Sequence, residues 1–117
     1  MMLNHLTLLK FKTPAEDAAI DGLEIDLDEL PNSIVEIQMY EFGRNVIRTP
    51  HCYDFAVLAL FANEEALSRY LKHPAYLRVM QKIERMCASF ITVGFFGSDA
   101  GSLREKPPSH MLLEDDF

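Results

Sequence analysis

The alternation of apolar and polar residues at the start of the chain predicts a strand over residues 3–12 (LNHLTLLKFK). Successive side chains of a strand point to opposite faces, so two sets of positions separate. One face mixes two polar side chains with apolar ones and consists of Leu3, His5, Thr7, Leu9 and Phe11. The other face has Leu6 and Leu8 at its centre. Both faces of this strand are therefore largely apolar.

A helix is predicted after this strand. Thr13 suits the N-cap, Pro14 the first helical position, and Glu16 completes the spacing of a capping box. An apolar face then recurs at helical spacing and consists of Ala15, Ala18, Ala19, Leu23 and Leu27 or Leu30. The sequence PNS at residues 31–33 is expected to end the helix, since proline does not continue one.

Two further strands are predicted in the middle of the chain. Residues 34–42 (IVEIQMYEF) alternate, with one set of side chains at Ile34, Tyr40 and Phe42 and the other at Val35, Ile37 and Met39. Residues 43–54 are interpreted as a loop in which Arg44 is a solvated residue, although an anion or a partner carboxylate is the alternative role. Residues 55–61 (FAVLALF) form an unbroken apolar run, which is typical of a strand buried on both faces.

The second helical stretch is interrupted by His73-Pro74. Asn63 is a candidate N-cap for a helix that begins with acidic residues, where the helix dipole favours them. Proline inside a helix removes a hydrogen bond and costs about 3 kcal/mol. We therefore predict that His73 ends one helix, that Pro74 starts another, and that His73 hydrogen-bonds a backbone group at the break. Residues 88–96 are predicted to form the last strand.

The order strand, helix, strand, strand, helix, strand predicts the ferredoxin-like α+β fold, an antiparallel sheet with helices on one face. Residues 1–97 form this domain, and the Gly-, Ser-, Pro- and acid-rich residues 98–117 are predicted to be a flexible tail.

The sheet face opposite the helices is predicted to be apolar. It would carry Leu6, Leu8, Val35, Ile37, Met39, Ala56, Leu58 and Leu60. A surface of this size on a monomer usually marks an interaction site. We favour a two-fold homodimer that packs sheet to sheet, and the alternative is that the tail folds back over the sheet.

Composition narrows the class of protein. The net charge of -7 argues against binding to the phosphate backbone of nucleic acids and against anionic membranes. No apolar run approaches the length of a membrane span. The N-terminal apolar run also lacks the preceding cationic region that a signal peptide has. Cys52 and Cys87 form no motif, so a reduced cytoplasmic protein is expected.

Four segments together resemble the stress-responsive A/B-barrel domain family, often abbreviated Dabb. They are NHLTLLKFK at residues 4–12, GRN at 43–45, FAVLALF at 55–61 before an acidic helix start, and YLKHPAYLRV at 70–79. The resemblance covers residues 3–96 and implies a ferredoxin-like subunit that dimerises into an α+β barrel. It implies no single activity, because most members have no assigned reaction.

A plant member of this family is a cofactor-free polyketide cyclase, with catalysis attributed to a tyrosine and a histidine in a pocket between sheet and helices. The resemblance places its first-strand histidine at His5 and its helix tyrosine at Tyr70. Its other two pocket histidines fall at Phe55 and Tyr76. Tyrosine, with an ordinary pKa of about 10, is a poor base at neutral pH. The cyclase reaction is therefore not carried over to this chain.

We predict a mainly apolar pocket between sheet and helices that binds a small hydrophobic or aromatic metabolite without a cofactor. His5 and Tyr70 are the candidate catalytic residues, and the predicted ligand-binding residues are His5, Phe55, Val57, Tyr70, His73 and Tyr76. The competing interpretations are a core histidine satisfied by a hydrogen bond and tyrosines that only pack.

Two other function classes remain open. One is a non-catalytic, stress-associated binding or scaffolding dimer. The other is a cofactor-free monooxygenase, for which fold similarity alone argues. The adjacent His51 and Cys52 are a weak metal signal, because two neighbouring ligands lack a second pair.

Overall fold

The computed structural model describes residues 1–13 and 15–97. The predicted tail, residues 98–117, lies outside the described residues. The chain forms four strands and three helices in the order β1 (Leu3–Phe11), α1 (Asp17–Ser33), β2 (Met39–Arg44), β3 (Phe55–Phe61), α2 (Glu64–Lys72), α3 (Pro74–Met86) and β4 (Cys87–Phe96). Within the described part of the chain, no helix has the length and apolar character needed to cross a bilayer.

The strands form one antiparallel sheet in the order β2-β3-β1-β4. β1 lies at the centre, and its register places His5 opposite Ala59 of β3 and Gly94 of β4. The predicted ferredoxin-like α+β fold is confirmed. The odd-numbered residues of β1 and β3 are buried against the helices and share one core with Leu23, Tyr70 and Val79. We call this side the helix-facing side and the opposite side the outer face.

The predicted start of α1 is wrong. The helix begins at Asp17, and its N-cap is Glu16, which makes no side-chain capping bond. Its buried face consists of Ile20, Leu23, Leu27 and Leu30, whereas Ala15, Ala18 and Ala19 are exposed. The backbone N–H of Lys12 still donates to the carbonyl of Met86, so the chain is held beside β4 at this point. An alanine buries only a methyl group. The larger apolar side chains of the stripe that starts at Ile20 therefore determine which face of the helix is buried.

The predicted start of β2 is also wrong. Ile34 is fully buried as the C-cap of α1, and its N–H donates to the carbonyl of Leu30. Val35 is 87% exposed and Ile37 packs against the core, so neither lies on the outer face of the sheet. Pairing with β3 decides where β2 begins. β3 has seven residues, and β2 starts to pair with it where Met39 faces Leu60.

Arg44 ends β2 and is not a solvated loop residue. Its guanidinium donates two hydrogen bonds to Glu24 at 3.0 Å and one to Asp21 at 2.6 Å, and Asp17 lies 3.7 Å away. These contacts raise the pKa of Arg44, chiefly through the hydrogen bond to Glu24. Glu24 is thus an α1–β2 contact.

The break at His73-Pro74 is confirmed. α2 ends at Lys72 and α3 begins at Pro74, which occupies the first helical position. The Nδ1 atom of His73 accepts a hydrogen bond from the N–H of Ala75 at 3.0 Å, and so caps α3. The Asn63 cap is likewise confirmed, since its side chain accepts from the N–H of Ala66 at 2.8 Å.

Candidate functional site

The middle of β1 places a histidine in the core. Strand alternation directs the His5 side chain to the helix-facing side, where it is only 7% exposed. Thr7, two residues further along, is 6% exposed on the same side. These two side chains are the buried polar groups of the described core.

Neither side chain is hydrogen-bonded within residues 1–13 and 15–97. His5 contacts Tyr70 through an edge-to-face ring arrangement with centroids 6.1 Å apart. Burial lowers the pKa of His5, because it penalises the charged form. The imidazole is therefore neutral at neutral pH and offers one donor and one acceptor nitrogen. Buried polar groups normally have a partner, so this one is exceptional.

The tyrosine that His5 contacts is one of two hydrogen-bonded phenols. Tyr70, in the last turn of α2, is 2% exposed, and its hydroxyl lies 2.9 Å from that of Tyr40 at the start of β2. One O–H of the pair makes the hydrogen bond between the two hydroxyls. The other O–H is therefore left to donate to another acceptor. The sequence analysis did not predict Tyr40 as a site residue. Tyr40 and Phe42 are two residues apart on β2, so both side chains point to the helix-facing side.

Burial keeps both phenols protonated. It raises the pKa of Tyr40 to about 12, and it raises the pKa of Tyr70 further, where the proximity of Tyr40 adds to the effect. These groups can donate a hydrogen bond or stabilise a developing negative charge on oxygen, but they do not act as bases near neutral pH.

Aromatic rings close around Tyr70. Phe61 packs with its ring centroid 4.8 Å from that of Tyr70, and Tyr76, from the first turn of α3, packs at 4.3 Å. Tyr76 is partly buried, and burial raises the pKa of its phenol. We call His5, Tyr40, Phe61, Tyr70 and Tyr76 the aromatic cluster.

Three predicted ligand-binding residues lie outside the aromatic cluster. Phe55 pairs with Leu9, four residues and ~13 Å along β1 from His5, and stacks on Phe42 with centroids 6.3 Å apart. His73 uses its Nδ1 to cap α3. Val57 is buried between these regions opposite Thr7. Their predicted roles in ligand binding stay predictions.

A groove of about 350 Å³ runs between α2 and β4 on the helix-facing side. It is lined by Leu3, Glu64, Leu67, Ser68, Leu71, Gly94 and Phe96. Leu3 precedes His5 by two residues on the same face, and Gly94 is the partner of His5 in the β1–β4 pair. Gly94 thus belongs both to the lining of the groove and to the strand pair opposite His5.

The structure adds no third ligand to His51 and Cys52. His51 is exposed, and the Cys52 thiol lies 2.9 Å from the Thr49 hydroxyl. Among residues 1–13 and 15–97, no three His, Cys, Asp or Glu side chains form a group suited to a metal ion. Cys52 and Cys87 are both free thiols.

The topology and the buried side chains define the class as a ferredoxin-like α+β domain with a polar group buried between sheet and helices. The model of one protein family, the stress responsive A/B barrel domain or Dabb, matches residues 3–96. This chain belongs to that family.

Relatives agree with this assignment. An uncharacterized protein of Streptomyces coelicolor is 32% identical over 78 residues, which cover 64% of this chain and 79% of the relative. A dimeric ferredoxin-like protein of unknown function from Thermobifida fusca is 27% identical, with a TM-score of 0.74 over 81% of this chain and 90% of its own. A hydroxynitrile lyase from Passiflora edulis is 14% identical, with a TM-score of 0.76 over 85% and 95%. At that identity the last shows the fold alone.

Proposed function

We propose that the protein is a homodimer that binds a small, mainly apolar molecule through an oxygen atom at the aromatic cluster. One observation carries this proposal: His5 is buried without a hydrogen-bond partner among the described residues. A buried polar group left unpaired costs about 1–3 kcal/mol, so a protein that retains one has a use for it. A ligand oxygen would supply the missing partner.

The neighbouring tyrosines suit the same ligand. The pair of Tyr40 and Tyr70 has one O–H left to donate, and the neutral imidazole of His5 can also donate through its N–H. A carbonyl oxygen accepts two hydrogen bonds, so both donors favour a ketone, an aldehyde or an ester over a hydrocarbon. The aromatic rings around them favour an apolar body.

Proton transfer without a cofactor is the chemistry that these groups support. The neutral His5 imidazole would take a proton from a carbon next to the ligand carbonyl, and a tyrosine O–H would stabilise the enolate oxygen. In a conjugated dienolate, return of that proton to the far carbon gives an isomerisation. Attack of the enolate carbon on a second carbonyl gives a cyclisation, in which the new alkoxide takes the proton back from the imidazolium. The hydroxynitrile lyase is an enzyme of this fold, which supports a catalytic member of the class by fold analogy only.

The outer face supports the homodimer. It presents apolar side chains from adjacent strands, at Leu6, Leu8, Leu58, Leu60, Ile91, Val93 and Phe95. Ile91, Val93 and Phe95 are each about half exposed in the single chain. Face-to-face packing with a second sheet would cover them, and the Thermobifida fusca relative is dimeric. A cytoplasmic location stays a prediction, to which the two free thiols are suited.

A non-catalytic binding or scaffolding dimer is the second candidate. The packing of Phe61 and Tyr76 directly on Tyr70 favours it, because these rings fill space that a ligand needs.

Native mass spectrometry of protein purified from its own cells tests the two candidates. A dimer that retains a small molecule, which is then identified after denaturation, would support the first. His5→Leu should lose that molecule, whereas the matched variant Thr7→Val, which removes the other unpaired polar group of β1, should keep it. An empty dimer in wild type and both variants would favour the scaffolding candidate.

A further inference from the structure

The groove between α2 and β4 has a composition that selects its occupant. Five of its seven lining residues present apolar surface, namely Leu3, Leu67, Leu71, Gly94 and Phe96. Its volume of about 350 Å³ lies at the lower end of the range for small-molecule sites. The polar lining residues are Glu64 and Ser68, and none of the lining residues carries a positive charge. Such a groove suits an uncharged molecule and disfavours an anion.

The groove and the unpaired histidine are adjacent through the strand register. Leu3 and His5 are successive helix-facing residues of β1, and Gly94 lies directly across from His5 on β4. A side chain at residue 94 would cover His5 from the β4 edge, and glycine has none. The groove lining includes Gly94 but neither Tyr70 nor Tyr76, so a molecule lying there does not displace Tyr76 from Tyr70.

We infer that the α2–β4 groove holds the apolar body of the ligand, that its carbonyl oxygen reaches His5 over Gly94, and that residue 94 limits the size of that body. This inference rests on the proposed function, since it names the ligand class and a specificity-determining residue of the same site. The ligand class is an uncharged carbonyl compound with one short alkyl chain or ring.

Gly94 can be substituted without strain in the backbone. A Cβ at this position would meet the carbonyl oxygen of Asn4 at 3.7 Å, an ordinary contact, and no other heavy atom within 4 Å outside its chain neighbours. Valine suits a strand better than glycine does. Gly94→Val should therefore fold and fill the groove beside His5. Gly43→Val is the matched control, because Gly43 is an exposed glycine of the other edge strand with no atom within 4 Å of its Cβ position.

The test uses two methyl ketones, 2-butanone and 2-heptanone, titrated into the full chain while the imidazole resonances of His5 are followed by NMR. Each buried methylene should raise affinity about fourfold, so 2-heptanone, with three more methylenes than 2-butanone, should bind wild type and Gly43→Val up to roughly 60-fold tighter. In Gly94→Val that ratio should fall towards one while 2-butanone still shifts His5. Gly94→Ala should give an intermediate ratio, and it replaces the valine variant should that one fail to fold.

The outcomes separate the two hypotheses. An unchanged ratio in Gly94→Val, with His5 still responding to both ketones, would overturn the groove and leave the proposed function standing. No response of His5 to either ketone in wild type would contradict the proposed ligand class and the groove together.

Discussion

The two sides of the sheet differ in a way that a monomer does not explain. On the helix-facing side, the centre of β1 buries His5 and Thr7, two polar side chains without hydrogen-bond partners in the described residues. On the outer face, β1 presents Leu6 and Leu8, and β4 leaves its apolar residues half exposed. Polar groups are thus buried on one side of the sheet, and apolar groups are partly exposed on the other.

The buried polar groups and the exposed apolar groups would each be compensated by a different kind of binding partner. A small molecule with a hydrogen-bonding oxygen satisfies an unpaired buried polar group, and a second apolar surface covers an exposed one. The comparison therefore supports the proposal that one strand contributes to two interfaces. Its odd residues belong to the proposed ligand site and its even residues to the proposed dimer.

The largest expected effect is on the outer face. Val93→Glu would place a carboxylate in each subunit at the proposed sheet-to-sheet interface, where burial of an uncompensated charge costs several kcal/mol. The dissociation constant of the dimer should rise at least roughly a hundredfold. Light scattering at micromolar concentration measures it. Thr92→Glu, one residue earlier on the opposite side of β4, should remain dimeric, and a dimeric Val93→Glu would contradict the sheet-face interface.

The next effect concerns the phenol pair. Tyr40→Phe leaves the buried Tyr70 hydroxyl without its partner, and Tyr70→Phe does the same to Tyr40. Each should lower the free energy of unfolding by about 1–3 kcal/mol, and the double variant should cost less than the sum. Urea denaturation measures all three. Tyr76→Phe is the control, since the Tyr76 hydroxyl has no hydrogen bond in the described structure, and additive effects at Tyr40 and Tyr70 would mean that the pair is not coupled.

A smaller effect of opposite sign is expected at His5. His5→Leu replaces an unpaired buried imidazole by an apolar side chain and should raise the free energy of unfolding by about 1 kcal/mol, while ligand binding is lost. Thermal and urea unfolding measure the gain. A variant that is instead less stable than wild type would identify His5 as a structural residue of the core.

The smallest effect is a change in pH dependence. Burial lowers the pKa of His5 below its ordinary value of 6.5, so below pH 6.5 the unfolded state binds the proton that the folded state resists. The free energy of unfolding is therefore not reduced by titration of His5 above pH 6.5. It decreases as the pH falls from there through the folded-state pKa. The stability advantage of His5→Leu should widen from pH 7 to pH 5, and a constant difference would contradict the burial of a neutral imidazole.

Local sequence patterns predicted much of this fold because they reflect interactions between residues that are close in the chain. The unbroken apolar run at residues 55–61 matches β3, and Asn63 and His73-Pro74 mark helix ends through contacts within three residues. The start of β2 was missed because the buried Ile34 and the pairing of Met39 with Leu60 are long-range effects. The start of α1 was missed because exposed alanines have the same period as a buried face.

The sequence by itself determined the order of elements, the helix break and the two-sided apolar character of the sheet, since period and steric rules act between near neighbours in the chain. Only the tertiary structure decided that His5 has no hydrogen-bond partner among the described residues, that Tyr40 joins Tyr70, and that Gly94 lines the groove between α2 and β4. Hydrogen-bond pairing of a buried group depends on side chains brought together from β1, β2, α2 and β4. No spacing along the chain encodes those distances.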